Sequence, residues 1–166
     1  SNPNSYVSGS TTWYDLSIGG NNGTLSSGIT YNYLNRGTLV FNGIKDYVNV
    51  PTSTSLEITS DLTINVWIYN TLSKSGIGIV TKGPLSGDYD YMLYLSLDST
   101  LLKFYKKNSS GTAEDGGSFI TTILNTWVNV CFTKQGTVLK GYENGVLRST
   151  STFTDSNIRT SSNSLK

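Results

Sequence analysis

Across residues 61–70, Leu62, Ile64, Val66 and Ile68 alternate with Thr63, Asn65, Trp67 and Tyr69. A period of two held over eight residues, carried by β-branched and aromatic side chains, predicts a long β-strand. Successive side chains of a strand point to opposite faces, so the aliphatic set faces one layer and Trp67 and Tyr69 the other. Rings of that size call for a cover or a ligand, which places the strand near the middle of a sheet. The rest of the chain reads around it.

Residues 1–12 are polar and read as an arm or linker, with the domain proper running over 13–166. Trp13 and Leu16 read as anchors that pin the following loop, whose Gly and Asn residues suit turns. Residues 28–34 predict a short strand. Residues 38–43 and 46–51 predict a strand pair turning at Gly43, and residues 55–58 a helical turn. Beyond the organising strand, further strands are expected at 76–83, from Tyr91 onward, at 101–107 after a tight turn at 98–100, at 118–122, at 126–134 and over 138–150. Residues 108–117 read as loop. The last pair folds back at Asn144–Gly145, since Asn-Gly between two alternating runs is a strong hairpin signal. No segment sustains a helical period. The pattern is that of an all-β chain, most simply a two-sheet antiparallel sandwich.

Composition narrows the function. The chain has 166 residues, enough for one domain burying about 70% of its unfolded surface. Its net charge is +1 with twelve basic residues, and these are scattered, whereas phosphate-backbone binding needs a concentrated positive face. Nucleic acid is therefore not an expected partner. No apolar run approaches the length of a membrane-crossing helix, so membrane insertion is not expected. Cys131 is the only cysteine, which excludes an internal disulfide, and it reads as a small buried hydrophobe. There is no histidine, which removes the commonest general base.

The order of motifs WYDLS–GGNNGTL, LVFNGIKDYVNVP, LTINVWIY, IVTKG, TWVNVCFT and LKGYENGVL resembles the laminin-G-like branch of the concanavalin A-like lectin/glucanase superfamily, over residues 13–150. The resemblance implies a jelly-roll sandwich, with Trp67 and Trp127 as large residues filling it. That branch usually ends in a further strand carrying an acidic residue and a Tyr. The closing residues SNIRTSSNSLK do not match that pattern. The missing sheet position leaves an edge on which another subunit could pair, so an oligomer is a candidate state.

The glucanase relatives use paired carboxylates, about 5–5.5 Å apart in retaining enzymes and about 6.5–9.5 Å in inverting ones. Here the only glutamates, Glu57, Glu114 and Glu143, are far apart in sequence, so a non-catalytic role is expected. The family resemblance also makes calcium a candidate cofactor, with Asp15, Asn21, Asn22 and Asp46 as candidate oxygen ligands; the plainer alternative is that such residues cap turns. For sugar binding, Asp88, Tyr89, Asp90 and Tyr91 form the densest mixture of stacking rings and hydrogen-bonding carboxylates, where a loop enters a strand. Trp67, Tyr105 and Tyr142 are the alternative, on a sheet face. The expected function is a non-enzymatic recognition or adhesion module for a surface glycan, extracellular or on a virion surface. The rival is a structural domain docked to a neighbouring virion protein. An exposed ring favours the first reading and a buried ring the second.

Overall fold

The computed structural model describes residues 4–34, 37–71, 74, 76–85, 87–96, 100–121 and 124–166. The expected turn at 98–100 and the end of the strand expected at 118–122 fall partly outside them. The chain is all-β, with antiparallel sheets, and divides into two compact units.

The larger unit spans Glu57–Asn163. The alternating run forms β6 (Leu62–Tyr69), as its periodicity requires. It is followed by β7 (Ile77–Lys82), β8 (Tyr91–Ser96), β9 (Leu101–Lys107), β10 (Ala113–Ile120), β11 (Trp127–Gln135), β12 (Val138–Glu143) and β13 (Val146–Thr152). These make two four-stranded sheets, ordered β10-β9-β8-β7 and β13-β12-β11-β6. The inner faces meet through Phe104 of β9, stacked 5.9 Å from Phe132 of β11, and Phe119 of β10, stacked 5.5 Å from the same ring. Leu93, Leu102, Val128 and Val130 are completely buried around them. This is a two-layer sandwich core of the kind alternating strands must build.

Two expectations for this unit need correction. Among the described strands β6 pairs only with β11, so it ends its sheet's order and is not central. Residues 113–117, read as the end of a loop over 108–117, belong to β10, which keeps pairing with β9 across a register shift between Asp115 and Ser118. The glycines make the bulge: Gly117 has φ +85°, and a Cβ on Gly116 would meet Leu139 and Phe153 at 2.7 Å. The Asn144–Gly145 turn forms as expected, both residues at positive φ between β12 and β13.

The smaller unit comprises Ser1–Leu56 and Ser164–Lys166. It holds β1 (Thr12–Trp13), β2 (Gly23–Leu25), β3 (Thr30–Asn32), β4 (Thr38–Val40) and β5 (Val48–Asn49), then one 3-10 turn at Thr54–Leu56. Strands β1-β2-β5 form one sheet and β3-β4 another. The pairing expected between 38–43 and 46–51 is absent, because each run pairs elsewhere: β4 with β3, β5 with β2. Asn42 explains this. Its side-chain oxygen accepts the Ile44 and Lys45 amides and its own amide donates to Asp46, so the segment closes as a side-chain-stabilised turn. Residues 4–12, expected as an arm, are tied back by a Tyr6–Trp13 bridge and by the Tyr14 amide donating to the Ser5 carbonyl. Leu165 bridges Val50.

Candidate functional site

In the larger unit, β6 and β11 run antiparallel with Trp127 opposite Tyr69, Asn129 opposite Trp67, and Cys131 opposite Asn65. Alternation sends Ile64, Val128, Val130 and Phe132 inward, where they are buried. It therefore sends Asn65, Trp67, Tyr69, Trp127 and Asn129 outward together. Trp67 is 63% exposed and Tyr69 46%. The expectation that Trp67 fills the sandwich interior is thus overturned: the period-two pattern puts it on the opposite face from the core. Trp127 is half-buried, its ring 5.5 Å from that of Tyr69.

Beside Trp67, on the side away from Tyr69, lies an amide pair, the Asn129 Nδ2 donating to the Asn65 Oδ1 at 2.6 Å. The Asn129 backbone is fixed from the turn: its amide donates to the Asn144 side chain at 2.9 Å, and its carbonyl accepts the Asn144 amide at 2.8 Å. One bond between two carboxamides leaves further N–H and C=O valences on both. The surface thus combines an open indole, a tilted Tyr–Trp pair and outward amides, all on sheet backbone. Cys131, expected in the core, sits half-buried on this face, and partial burial pushes its thiol pKa up.

The residues chosen from sequence for sugar binding are placed otherwise. Tyr89 is 7% exposed, Tyr91 3% and Asp90 1%. Arg159 gathers the whole segment: it donates to Asp88 Oδ1 at 2.6 Å, to Asp90 Oδ1 at 3.1 and 3.0 Å, and to the Tyr89 carbonyl at 3.0 Å. Ser161 donates to the second Asp90 oxygen at 2.8 Å. The Arg159 bond holds Asp88 below the usual carboxylate range. Burial, with Asp90 and Glu57 nearby, pushes the Tyr91 hydroxyl up to about 12. Neither tyrosine offers an open ring for stacking, so this segment is an internal latch. Tyr105 lies on the other sheet, its hydroxyl accepting from Lys103 at 3.0 Å and donating to Asp115 at 2.7 Å.

The candidate metal ligands lie in the smaller unit. Asp15 accepts the Ser17 amide and hydroxyl and the Asn21 amide, while the Asn22 side chain accepts the Asp15 amide. Asp46 is held apart from this network by the Asn42 amide, and its other oxygen is buried without a hydrogen bond. Calcium needs about six to eight oxygens converging on one point. Among the described residues no three His, Cys, Asp or Glu side chains come together in that way. Asp15 caps the turn that follows it, the Asn21 side chain bonds Ser53 and Ser55, and Asp46 closes the turn at Asn42.

The glutamates are likewise engaged: Glu57 with Lys82 at 3.2 Å, Glu114 with Lys106 at 3.3 Å, and Glu143 with Thr121 and Arg148. Sequence reasoning missed these lysines. Lys82, Lys106 and Lys134 are each at most 2% exposed, and their ammonium groups donate to the carbonyls of Asn163, Asn157 and Ser156. The signal was present: in β9 and β11 each such lysine occupies an inward position of the alternation.

A family model described as the Concanavalin A-like lectin/glucanases superfamily matches residues 42–165. No curated protein matches the chain. Among solved structures, the chain is similar to the binding domain of Paraclostridial Mosquitocidal Protein 1, at 17% identity and TM-score 0.71, over 94% of this chain and 41% of that one. It is similar to the binding domain of botulinum neurotoxin serotype G, at 16% identity and TM-score 0.68, over 92% of this chain and 40% of that one. Domain 4 of AbnA, an extracellular arabinanase from Geobacillus stearothermophilus solved with arabinotriose, matches at 18% identity and TM-score 0.65, over 86% of this chain and 70% of that one. The chain spans about two-fifths of the toxin domains.

Proposed function

Because the chain belongs to the concanavalin A-like lectin/glucanase superfamily, we propose that it is a non-catalytic, glycan-binding recognition module of an extracellular or virion-surface assembly. Its sugar platform is the outward face of β6 and β11. The observation that carries the reading is the exposure of Trp67, 63% open on a rigid strand beside the Asn65–Asn129 amide pair. An indole face stacks on the apolar face of a pyranose or furanose, and the outward amide groups are matched to its hydroxyls as both donors and acceptors. The arabinanase domain solved with a trisaccharide supports this as a fold that accommodates sugar.

Glu57 and Glu114 are each committed to a buried lysine and Glu143 to Arg148 and the Thr121 hydroxyl, which favours a binding role over glycosidic cleavage. The outward positions of β6 and β11 carry no carboxylate, so recognition there needs no metal bridge.

The test is a glycan array probed with the folded chain, with and without chelator. Binding is expected to persist in chelator and to be lost in Trp67→Ala. Array binding that Trp67→Ala leaves intact would refute this placement. A silent array, with Trp67 fluorescence instead shifting as the protein self-associates, would favour the subunit-docking reading of the same face.

A further inference from the structure

The smaller unit contains a separate cleft of about 580 Å³, lined by Trp13, Tyr14, Ile18, Val48 and Leu56, with Asp15 on its wall. Trp13 is 43% exposed, Tyr14 42%, and Ile18 is fully exposed, contrary to the expectation that Trp13 anchors the loop by burial. The cleft is open rather than enclosed, so its ring faces are reached directly from solvent.

The polar chemistry of the cleft is one-sided. Its hydroxyl and amide donors turn toward the loop itself: Ser17 Oγ donates to Asp15 at 2.8 Å and Asn21 Nδ2 to Ser55 at 2.8 Å. What remains for a ligand is the charge of Asp15 beside apolar and aromatic walls. The Ser17 hydroxyl, joined by the Ser17 and Asn21 amides, holds the Asp15 carboxyl below its ordinary range and so keeps it ionised. The Ser17 hydroxyl, the Ser17 and Asn21 amides and the Asn21 side chain together take up most of the roughly four lone-pair sites of the carboxylate, so what Asp15 offers a ligand is its charge. No lysine or arginine among the described residues forms an ion pair with it. Lys166, in the same unit, instead lies 4.9 Å over the Tyr47 ring.

A sugar, which brings many hydroxyls, finds few free partners here. An apolar body carrying a positive charge finds aromatic rings, aliphatic walls and a pinned anion. We propose that this cleft binds an organic cation, an alkylammonium or guanidinium on an apolar stem, with Asp15 as counter-ion and Trp13 and Tyr14 as cation–π and packing walls. The site is independent of the Trp67 face and of the glycan reading.

The experiment titrates benzyltrimethylammonium, N-acetylarginine amide and neutral benzyl alcohol into the full chain, following the amide resonances of Gly19 and Asn21. The expected result is saturable binding of at least one cation and none of benzyl alcohol. Affinity should fall about tenfold in Asp15→Asn and in Trp13→Ala, and stay unchanged in Trp67→Ala. A preference for the quaternary ammonium points to a free small molecule, and one for the arginine derivative to a protein side chain. The proposal fails if neither cation saturates, if benzyl alcohol binds equally, or if both cleft variants bind like the parent.

Discussion

The larger unit contains two clusters of aromatic and hydrogen-bonding side chains with opposite fates. In the segment Asp88-Tyr89-Asp90-Tyr91 every carboxylate is answered from within the chain, by Arg159, Ser161 and Lys107, and both rings are covered. On β6 and β11 the rings stand open and the two amides satisfy each other through a single bond. The first cluster is richer in the residues that bind sugars, yet it is the second that has valences left over. Composition nominates a site; what decides is whether the fold has already consumed its donors, acceptors and ring faces.

The sharpest break in this comparison is Asp90→Ala. Asp90 is 1% exposed and answers both Nε and Nη2 of Arg159, so its removal leaves a guanidinium short of its partner in a covered place. Loss of one member of a buried pair costs about 3–5 kcal/mol, and part of that range is expected here, since the Arg159 side chain keeps 21% exposure. Chemical denaturation should show the loss, and glycan binding by the remaining folded protein should be unaltered. Trp67→Ala is the converse. It should lower glycan affinity by about 2 kcal/mol, the scale of an aromatic hot spot, while moving unfolding free energy by about 0.5 kcal/mol or less. A large stability loss in Trp67→Ala would place the ring in packing after all.

Asn129→Ala should act more mildly on the same readout. It removes one amide of the pair and frees the other, so a few-fold loss of affinity is expected, about 1 kcal/mol, in the range of a single hydrogen bond. Its backbone bonds to Asn144 do not depend on the side chain, and the strand register should survive. Equal affinity in Asn129→Ala would leave the rings alone as the platform.

How far all this was legible in the sequence follows from the range of each interaction. Local period and turn chemistry sufficed for β6, β7, β9, β11 and the Asn144–Gly145 hairpin, because strand alternation and positive φ are properties of neighbours in sequence. The Gly-Gly of β10 misled because a bulge and a loop share that composition. The pairing of β4 with β3 was hidden because Asn42 closes its own turn, so nearness in sequence did not become pairing. The Asp88–Tyr91 latch was illegible for a different reason. Its partner Arg159 lies 69 to 71 residues away, in a stretch without pattern. The burial of Lys106 and Lys134 was legible from their inward positions in β9 and β11, but the acceptors of all three buried lysines, distant backbone carbonyls, were not. The open face was half legible: alternation placed Trp67 opposite the aliphatic set, and only the assumption that a large ring must be covered sent it inward.

The smallest expected effect is the most diagnostic of the contrast, because it separates the two clusters by pH. Near the latch, Asp88 is held below the usual carboxylate range by Arg159, and Asp155 is lowered to about 2 by bonds from Asn157 and Ser109. A carboxyl whose folded pKa is depressed contributes stability fully above its unfolded value, near 3.8, and that contribution disappears as pH falls through the folded value. The latch and the neighbouring residues 155–163 should therefore begin to loosen between about pH 4 and pH 2, seen as faster amide exchange in that stretch. Both carboxyls are solvent-accessible, so screening keeps the effect modest. The β6–β11 face carries no carboxylate at its outward positions, the chain has no histidine, and the Cys131 thiol is pushed up, away from neutrality. Glycan affinity should consequently stay flat from about pH 8 down to about pH 5, above the range in which the latch responds. If affinity instead changed across that interval, a titrating group would belong to the site, and the separation between a closed cluster and an open one would have been drawn in the wrong place.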